Sequence, residues 1–266
     1  MSDLVLYARA FWGLLIRDTV VLRREFIAFA VRTVMNPLMF VFVFTYLFPK
    51  MGQAFQNSHG TSFGTLILPG LIAVAIFVQG IMGVALPLSF EIGVSREIED
   101  RVMSPLPVSL VAIEKIVFSA LQSLVAALVV FPLIFFIPAT PVEVHVDSWL
   151  VLIASVLLAS LASGAVGLTI GTIVKPQHIT LMFGIVVVPI TFFGCVYYPW
   201  AALHVIPWLQ MLVLINPLVY MSEGLRTALT PGTPHMPAWA TLGALFLCVV
   251  LLGYTGVRGF LNRVLS

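Results

Sequence analysis

Charge is scarce in this sequence. Its 266 residues include 13 Lys and Arg and 11 Asp and Glu, 9% in all, where a soluble domain carries about a quarter. A soluble enzyme and a disordered chain are both excluded, and a net charge of +2 is too small for a nucleic-acid binder. Lysine is rarer still: Lys50, Lys115 and Lys175 are the whole set, and none follows a glycine. The phosphate-binding G-x-x-x-x-G-K-[ST] loop is therefore missing, so any ATP that drives this protein is bound by a partner. The two cysteines, Cys195 and Cys248, lie inside apolar runs and read as small hydrophobes. No H-E-x-x-H, C-x-x-C or G-x-S-x-G occurs, and the five histidines, His59, His145, His178, His204 and His235, read as solvated loop residues. Catalytic, cofactor-binding and metal-ligating residues are thus expected to be none. What the chain has instead is apolar surface: 61% of it is hydrophobic, with a mean hydropathy of +1.11. It reads as an integral membrane protein.

A helical span needs about 20 mostly apolar residues. Six stretches lack Asp, Glu, Lys and Arg: Thr33–Pro49, Leu66–Phe90, Ile116–Ile137, Trp149–Val174, Ile179–Trp200 and Ala238–Val257. With the N-terminus in the cytoplasm, the inside segments hold 11 of the 13 basic residues and the outside segments only Lys50 and Arg226. The positive-inside rule then places both termini in the cytoplasm. A seventh span over Leu203–Met221 would leave 10 inside and 3 outside, so charge does not decide it. His204, Pro207, Asn216 and Pro217 divide that stretch into pieces too short to cross, which read as a re-entrant helix pair. The expected fold is an all-α membrane protein: six transmembrane helices, an N-terminal amphipathic interfacial helix, and a short re-entrant pair before the last span. The domain reading is 1–32 for the interfacial helix and 33–266 for the transmembrane domain, with the re-entrant region at about 201–230. The opening Met-Ser-Asp and the recurring arginines do not read as a secretory signal.

On a helical wheel Arg9, Arg17, Asp18, Arg24, Glu25 and Arg32 share one half of the N-terminal helix. Phe11, Trp12, Leu15, Leu22, Phe26 and Phe29 share the other, and only Arg23 strays. A basic face opposite an aromatic one describes a helix lying in membrane lipid at the interface, as a plain anchor or as a dock for a cytoplasmic protein. None of the six spans carries a formal charge or a histidine, which argues against an ion-coupled secondary transporter or channel.

The most polar segment is the cytoplasmic loop Glu91–Pro107. Arg96 with Asp100, and Glu97 with Arg101, are opposite charges four residues apart, which favours a short helix. Ser104, Pro105 and Pro107 end it. Either this is a solvated loop, or it is a knob at about 94–107 that receives motion from a cytoplasmic motor.

Three segments together resemble the permease subunit of the short six-span ATP-binding-cassette exporters, the ABC-2 type. Arg96-Glu97-Ile98-Glu99 through Ser104-Pro105-Leu106-Pro107 to Glu114-Lys115-Ile116 is similar to that family's cytoplasmic coupling segment. Phe193-Gly194-Cys195-Val196-Tyr197-Tyr198-Pro199 with Ile206-Pro207-Trp208 resembles its external re-entrant region. Asn216-Pro217-Leu218-Val219-Tyr220 and Glu223-Gly224-Leu225-Arg226 look like its Asn-Pro-aliphatic-x-Tyr and Glu-x-x-Arg signature. One departure is Glu99-Asp100, where the family often has Gly. The resemblance implies two ABC ATPase subunits that bind ATP and Mg, and a second permease subunit in a homodimer or heterodimer. It also implies a bacterial or archaeal inner-membrane location and export of a drug, lipid or lipid-linked glycan, or of polysaccharide. It assigns ATPase coupling to Arg96, Glu97, Glu99, Asp100, Arg101, Ser104 and Pro105. The re-entrant and exit region would hold Phe192, Tyr197, Tyr198, Trp200, Asn216, Pro217, Glu223 and Arg226.

Four further patterns carry expectations. Ser155, Ala159, Ser163, Gly167 and Gly171 form a small-residue ridge for close helix packing, within the subunit or across a dimer. Pro189 should kink the fifth span. The aromatic group Phe192, Phe193, Tyr197, Tyr198, Trp200 and Trp208 is either an interfacial belt or an exit path. Glu223 and Arg226, three apart on one helix face, should pair and lock the outer boundary.

Overall fold

The computed structural model describes residues 2–24, 26–47, 50–51, 63–91, 106–137 and 144–265. Their regular structure is helical, with no strand among the described residues. In chain order the α-helices are α1 (Ser2–Arg24), α2 (Phe26–Val41), α3 (Phe63–Phe90), α4 (Val108–Phe136), α5 (Trp149–Ile173), α6 (Ile179–Met182), α7 (Val188–Phe192), α8 (Pro207–Leu212), α9 (Pro217–Leu229) and α10 (Ala238–Leu265). A π-helical stretch, Phe42–Leu47, extends α2, and another, Phe183–Val187, joins α6 to α7.

Among the described residues five helices are long and apolar enough to cross a membrane: Phe29–Leu47, Gly64–Phe90, Val108–Leu133, Trp149–Ile173 and Ala238–Val264. The sixth expected span, Ile179–Trp200, takes a different form. Its helical run from Ile179 stops at Phe192 and is fourteen residues long, about 21 Å at the usual rise and short of a hydrocarbon core of about 30 Å. The expected disturbance at Pro189 is a widened π-helical turn just before the proline, which supplies no amide to the carbonyl four residues back. Beyond Phe192 the chain turns. Cys195 adopts a left-handed conformation, φ 53°, and the segment reaches Trp200 as a 3₁₀ turn.

Helix α3 is the hub. It packs against α4, α5 and α9, while α5 also supports α10. The small-residue ridge explains the α3–α5 contact. A Cβ on Gly167 would lie 2.9 Å from the Ile81 Cα and 3.0 Å from the Gly80 carbonyl oxygen, and one on Gly171 3.1 Å from the Ala85 Cα. Ser155, Ala159 and Ser163 are fully buried, so the ridge serves packing inside the subunit. Helices α2 and α10 bury little of their apolar surface in the chain itself.

Two helices run beyond the apolar stretches into charged sequence. Helix α4 begins at Val108 rather than Ile116, which takes Glu114 and Lys115 into its second turn. Helix α10 continues past Val257 to Leu265. Arg263 there donates to the Thr172 carbonyl at 2.7 Å and the Val174 carbonyl at 3.1 Å, satisfying acceptors that the end of α5 leaves open. The polar half of α1 is not uniformly outward. Asp18 is 7% exposed while Trp12, on the apolar half, is 65% exposed. The wheel places Asp18 among the basic residues, but Lys115 of α4 draws it inward.

Candidate functional site

The expected outer site is assembled around α9. Asn216 caps that helix, its Oδ1 accepting from the Leu218 amide at 2.9 Å, and its Nδ2 donates to the Ile190 carbonyl at 2.7 Å. Pro217 fills the first helical position, where no amide is needed. The Tyr220 hydroxyl donates to the Leu214 carbonyl at 2.7 Å and closes the preceding 3₁₀ turn. The Asn-Pro-x-x-Tyr sequence thus ties α9 at its start to α7 and to the 3₁₀ turn that follows α8. Asn216→Ala should lower stability by about 1–2 kcal/mol, the value of a lost N-cap. Asn216→Asp, which keeps the capping oxygen but cannot donate to Ile190, should fall between the two. Thermal melting of the purified protein in detergent measures both.

Glu223 and Arg226 form the expected ion pair, and both are fully buried. One carboxylate oxygen of Glu223 accepts from Arg226 and from the Trp200 amide at 2.9 Å, and the other accepts from the Met236 amide at 2.9 Å. Arg226 Nη2 donates to the Cys195 carbonyl at 3.1 Å and reaches the Leu66 carbonyl at 3.5 Å. One pair therefore gathers the start of α3, the left-handed turn, the 3₁₀ turn at Trp200, α9 and the strap before α10. Ser222 adds a bond to the Gly194 carbonyl at 2.7 Å, and Thr227 holds the Met236 carbonyl at 2.9 Å. A buried charge pair whose carboxylate oxygens and Nη2 also bond backbone groups, with the Arg226 Nε left unpartnered among the described residues, is a clasp. The pair is closed off from solvent, and its bonds hold the shape of the outer cap.

The aromatic group divides. Phe192, Phe193 and Trp208 are about half exposed or more. Tyr197 turns inward between Phe40 of α2, ring centroids 5.7 Å apart, and Phe192, 6.1 Å apart. The Tyr198 hydroxyl donates to the Phe192 carbonyl at 3.2 Å, and Trp200 Nε1 to the Gln210 carbonyl at 3.1 Å. These bonds brace the turn between α7 and α8.

The residues expected to couple to the ATPase, Arg96, Glu97, Glu99, Asp100, Arg101, Ser104 and Pro105, lie outside the described residues. Their flanks are described. Lys115 Nζ donates to Glu91 Oε1 at 2.8 Å and lies 3.6 Å from Asp18 Oδ2. Sequence reasoning missed this cluster, as it missed Leu66 and Met236 at the outer clasp and Gly70 where α3 meets the backbone of Val196. Each is brought in by a contact remote in the chain, and only Gly70, a small residue inside an apolar run, carried any local sign.

Buried ridge, apolar helices and outer clasp together describe a helical bundle suited to a membrane. The chain matches the ABC-2 type transporter family over residues 9–230 and belongs to it. It is a multi-pass permease subunit of an ABC-2 type transporter, and membership implies partnership with ABC ATPase subunits. Among characterised proteins it is 27% identical over 229 residues to the inner membrane transport permease YadH of Escherichia coli K12, covering 85% of this chain and 86% of that protein. The YadH proteins of Escherichia coli O157:H7 and Shigella flexneri match to the same extent.

Proposed function

We propose that this permease exports an amphiphilic substrate, a drug, a lipid or a lipid-linked glycan, across a bacterial or archaeal inner membrane. Two separate ABC ATPase subunits supply the energy, and a second permease subunit completes the pathway. The observation that carries the amphiphile reading is the half-exposed aromatic edge of Phe192, Phe193 and Trp208 beside the outer clasp, a surface that suits a molecule with one apolar and one polar end. The inner-membrane location is supported by the relative YadH, which is an inner membrane transport permease.

In this reading the run from Ile179 to Trp200 is a sixth, shortened crossing, accommodated by local thinning of the bilayer. The arginines support it. With six crossings α10 ends in the cytoplasm, whereas with five Arg258 and Arg263 would fall outside, against the positive-inside rule. The re-entrant region is then the outer cap formed by α8 and α9, and α1 is the interfacial helix.

The segment about 94–107 contacts the ATPase. Permease co-expressed with its ATPase and placed in lipid nanodiscs should hydrolyse ATP. Reversing the charges of Arg96, Glu97 and Arg101 together should cut that activity at least tenfold while the permease still folds. Activity indifferent to the reversal would make this segment an ordinary loop and remove the coupling assignment.

A further inference from the structure

Between the first half of α1 and the start of α4 lies a groove of about 830 Å³. Val5, Ala8, Phe11 and Trp12 of α1 form one wall, and Leu110 of α4 the other. Arg9 and Tyr7 also line it, and among the described residues no carboxylate does. The α1 sequence explains the groove. Phe11 and Leu14 pack against the core around Leu106 and Val111, which turns the neighbouring side of the helix outward. That side repeats Val5, Trp12 and Ile16, seven and four residues apart, each about half exposed or more. Such spacing sets an apolar stripe along one side of a helix.

The place of the groove and its lining select the occupant. Leu110 stands in the first turn of α4, whose stretch Val108–Leu133 is long and apolar enough to cross a membrane. The groove is therefore level with the point where that helix enters the bilayer, within reach of headgroups and the first part of the acyl chains. A soluble ATPase surface would bring polar groups that these walls leave unpaired. A phospholipid fits both parts, with a chain on the apolar wall and a phosphate at Arg9. A guanidinium presents two parallel donors to phosphate oxygens. Arg9 is exposed and has no ion pair among the described residues, so its charge is free to meet an anion. Tyr7 and Trp12 add rings with a polar edge, suited to the headgroup level. A zwitterionic lipid would bring an ammonium to the same place, where no carboxylate meets it.

We infer that the groove between α1 and α4 is a binding site for an anionic phospholipid of the cytoplasmic leaflet, with its phosphate at Arg9 and an acyl chain along Val5, Trp12 and Leu110. This rests on the reading of α1 as the interfacial helix given above.

The test uses the permease–ATPase complex, and the permease alone, in phosphatidylcholine nanodiscs with a rising fraction of brominated lipid, which quenches nearby tryptophan. Subtracting the signal of a Trp12→Phe sample isolates Trp12 from the other tryptophans. Brominated phosphatidylglycerol should half-quench Trp12 at a mole fraction about fivefold lower than brominated phosphatidylcholine does, the worth of one arginine beside an anionic headgroup. Arg9→Gln should abolish that preference while quenching by brominated phosphatidylcholine persists. Ala8→Leu, which narrows the groove and keeps Arg9, should weaken it. Arg24→Gln removes another exposed arginine of α1, one that does not line the groove, and should leave the preference intact. Equal quenching by the two lipids, or equal losses with Arg9→Gln and Arg24→Gln, overturns the lipid site and leaves α1 at the membrane interface. Quenching that is present only without the ATPase makes the ATPase the occupant and also overturns it. Trp12 quenched by neither lipid in either sample would place α1 outside the bilayer, and the interfacial reading would fail together with the site.

Discussion

Arg226→Met should lower the stability of the folded permease by about 3–5 kcal/mol, the usual consequence of stranding one charge of a buried pair. Glu223 is fully buried, and without Arg226 it keeps only the Trp200 and Met236 amides. Glu223→Gln should also destabilise, because the amide presents one acceptor oxygen where the carboxylate serves three donors with two. The double variant Glu223→Gln, Arg226→Met should lose less than the sum of the singles, since no unpaired charge remains. Thermal melting in detergent, followed by size-exclusion of the heated sample, separates these cases. Additive losses, or an Arg226→Met variant as stable as the parent, would mean that the pair is incidental to the outer cap.

Gly70→Val should have an effect of similar size for a steric reason. A Cβ at Gly70 would lie 2.1 Å from the Val196 carbonyl oxygen, 2.6 Å from its Cα and 2.7 Å from its carbonyl carbon. These are backbone atoms, so no side chain can rotate aside. The turn they belong to is held by Arg226 through the Cys195 carbonyl. Ordinary overpacking costs about 1–3 kcal/mol, and Gly70→Val should reach or exceed the upper end of that range. Gly243→Ala is the control. Nothing lies within 4 Å of the added methyl, and alanine favours a helix more than glycine does, so its melting temperature should hold or rise. Melting curves for the two variants, measured side by side, give the comparison. Equal behaviour would mean that the turn at Cys195 and Val196 moves freely away from α3.

The spans were legible because hydropathy integrates over many residues. Trp149–Val174 was expected, and α5 runs Trp149–Ile173. Where charge was taken as a boundary the reading stopped early, since a helix continues as long as its backbone bonds continue. Arg263 stays in α10 because α5 offers it carbonyl oxygens, and Lys115 stays in α4 because Asp18 and Glu91 surround it. The fifth apolar stretch differs in form for the opposite reason. Its hydropathy is continuous, but Pro189 and the turn through Cys195 interrupt the geometry. At the outer cap, the Glu223–Arg226 pair was readable as a local spacing. Its ties to Leu66, Cys195, Trp200 and Met236 were not, because backbone amides and carbonyls leave no mark in a sequence.

The carboxylate of Glu223 receives the amides of Trp200 and Met236 on its two oxygens. The chain between those residues, which includes α8 and α9, therefore leaves and returns at nearly the same point. Within it α9 is anchored on α3, α5 and α10, so the freedom lies in the links on either side of that helix. Lengthening such a closed stretch carries only a slowly growing entropic penalty. An insertion between Thr230 and His235 should therefore leave the fit of the membrane helices unchanged.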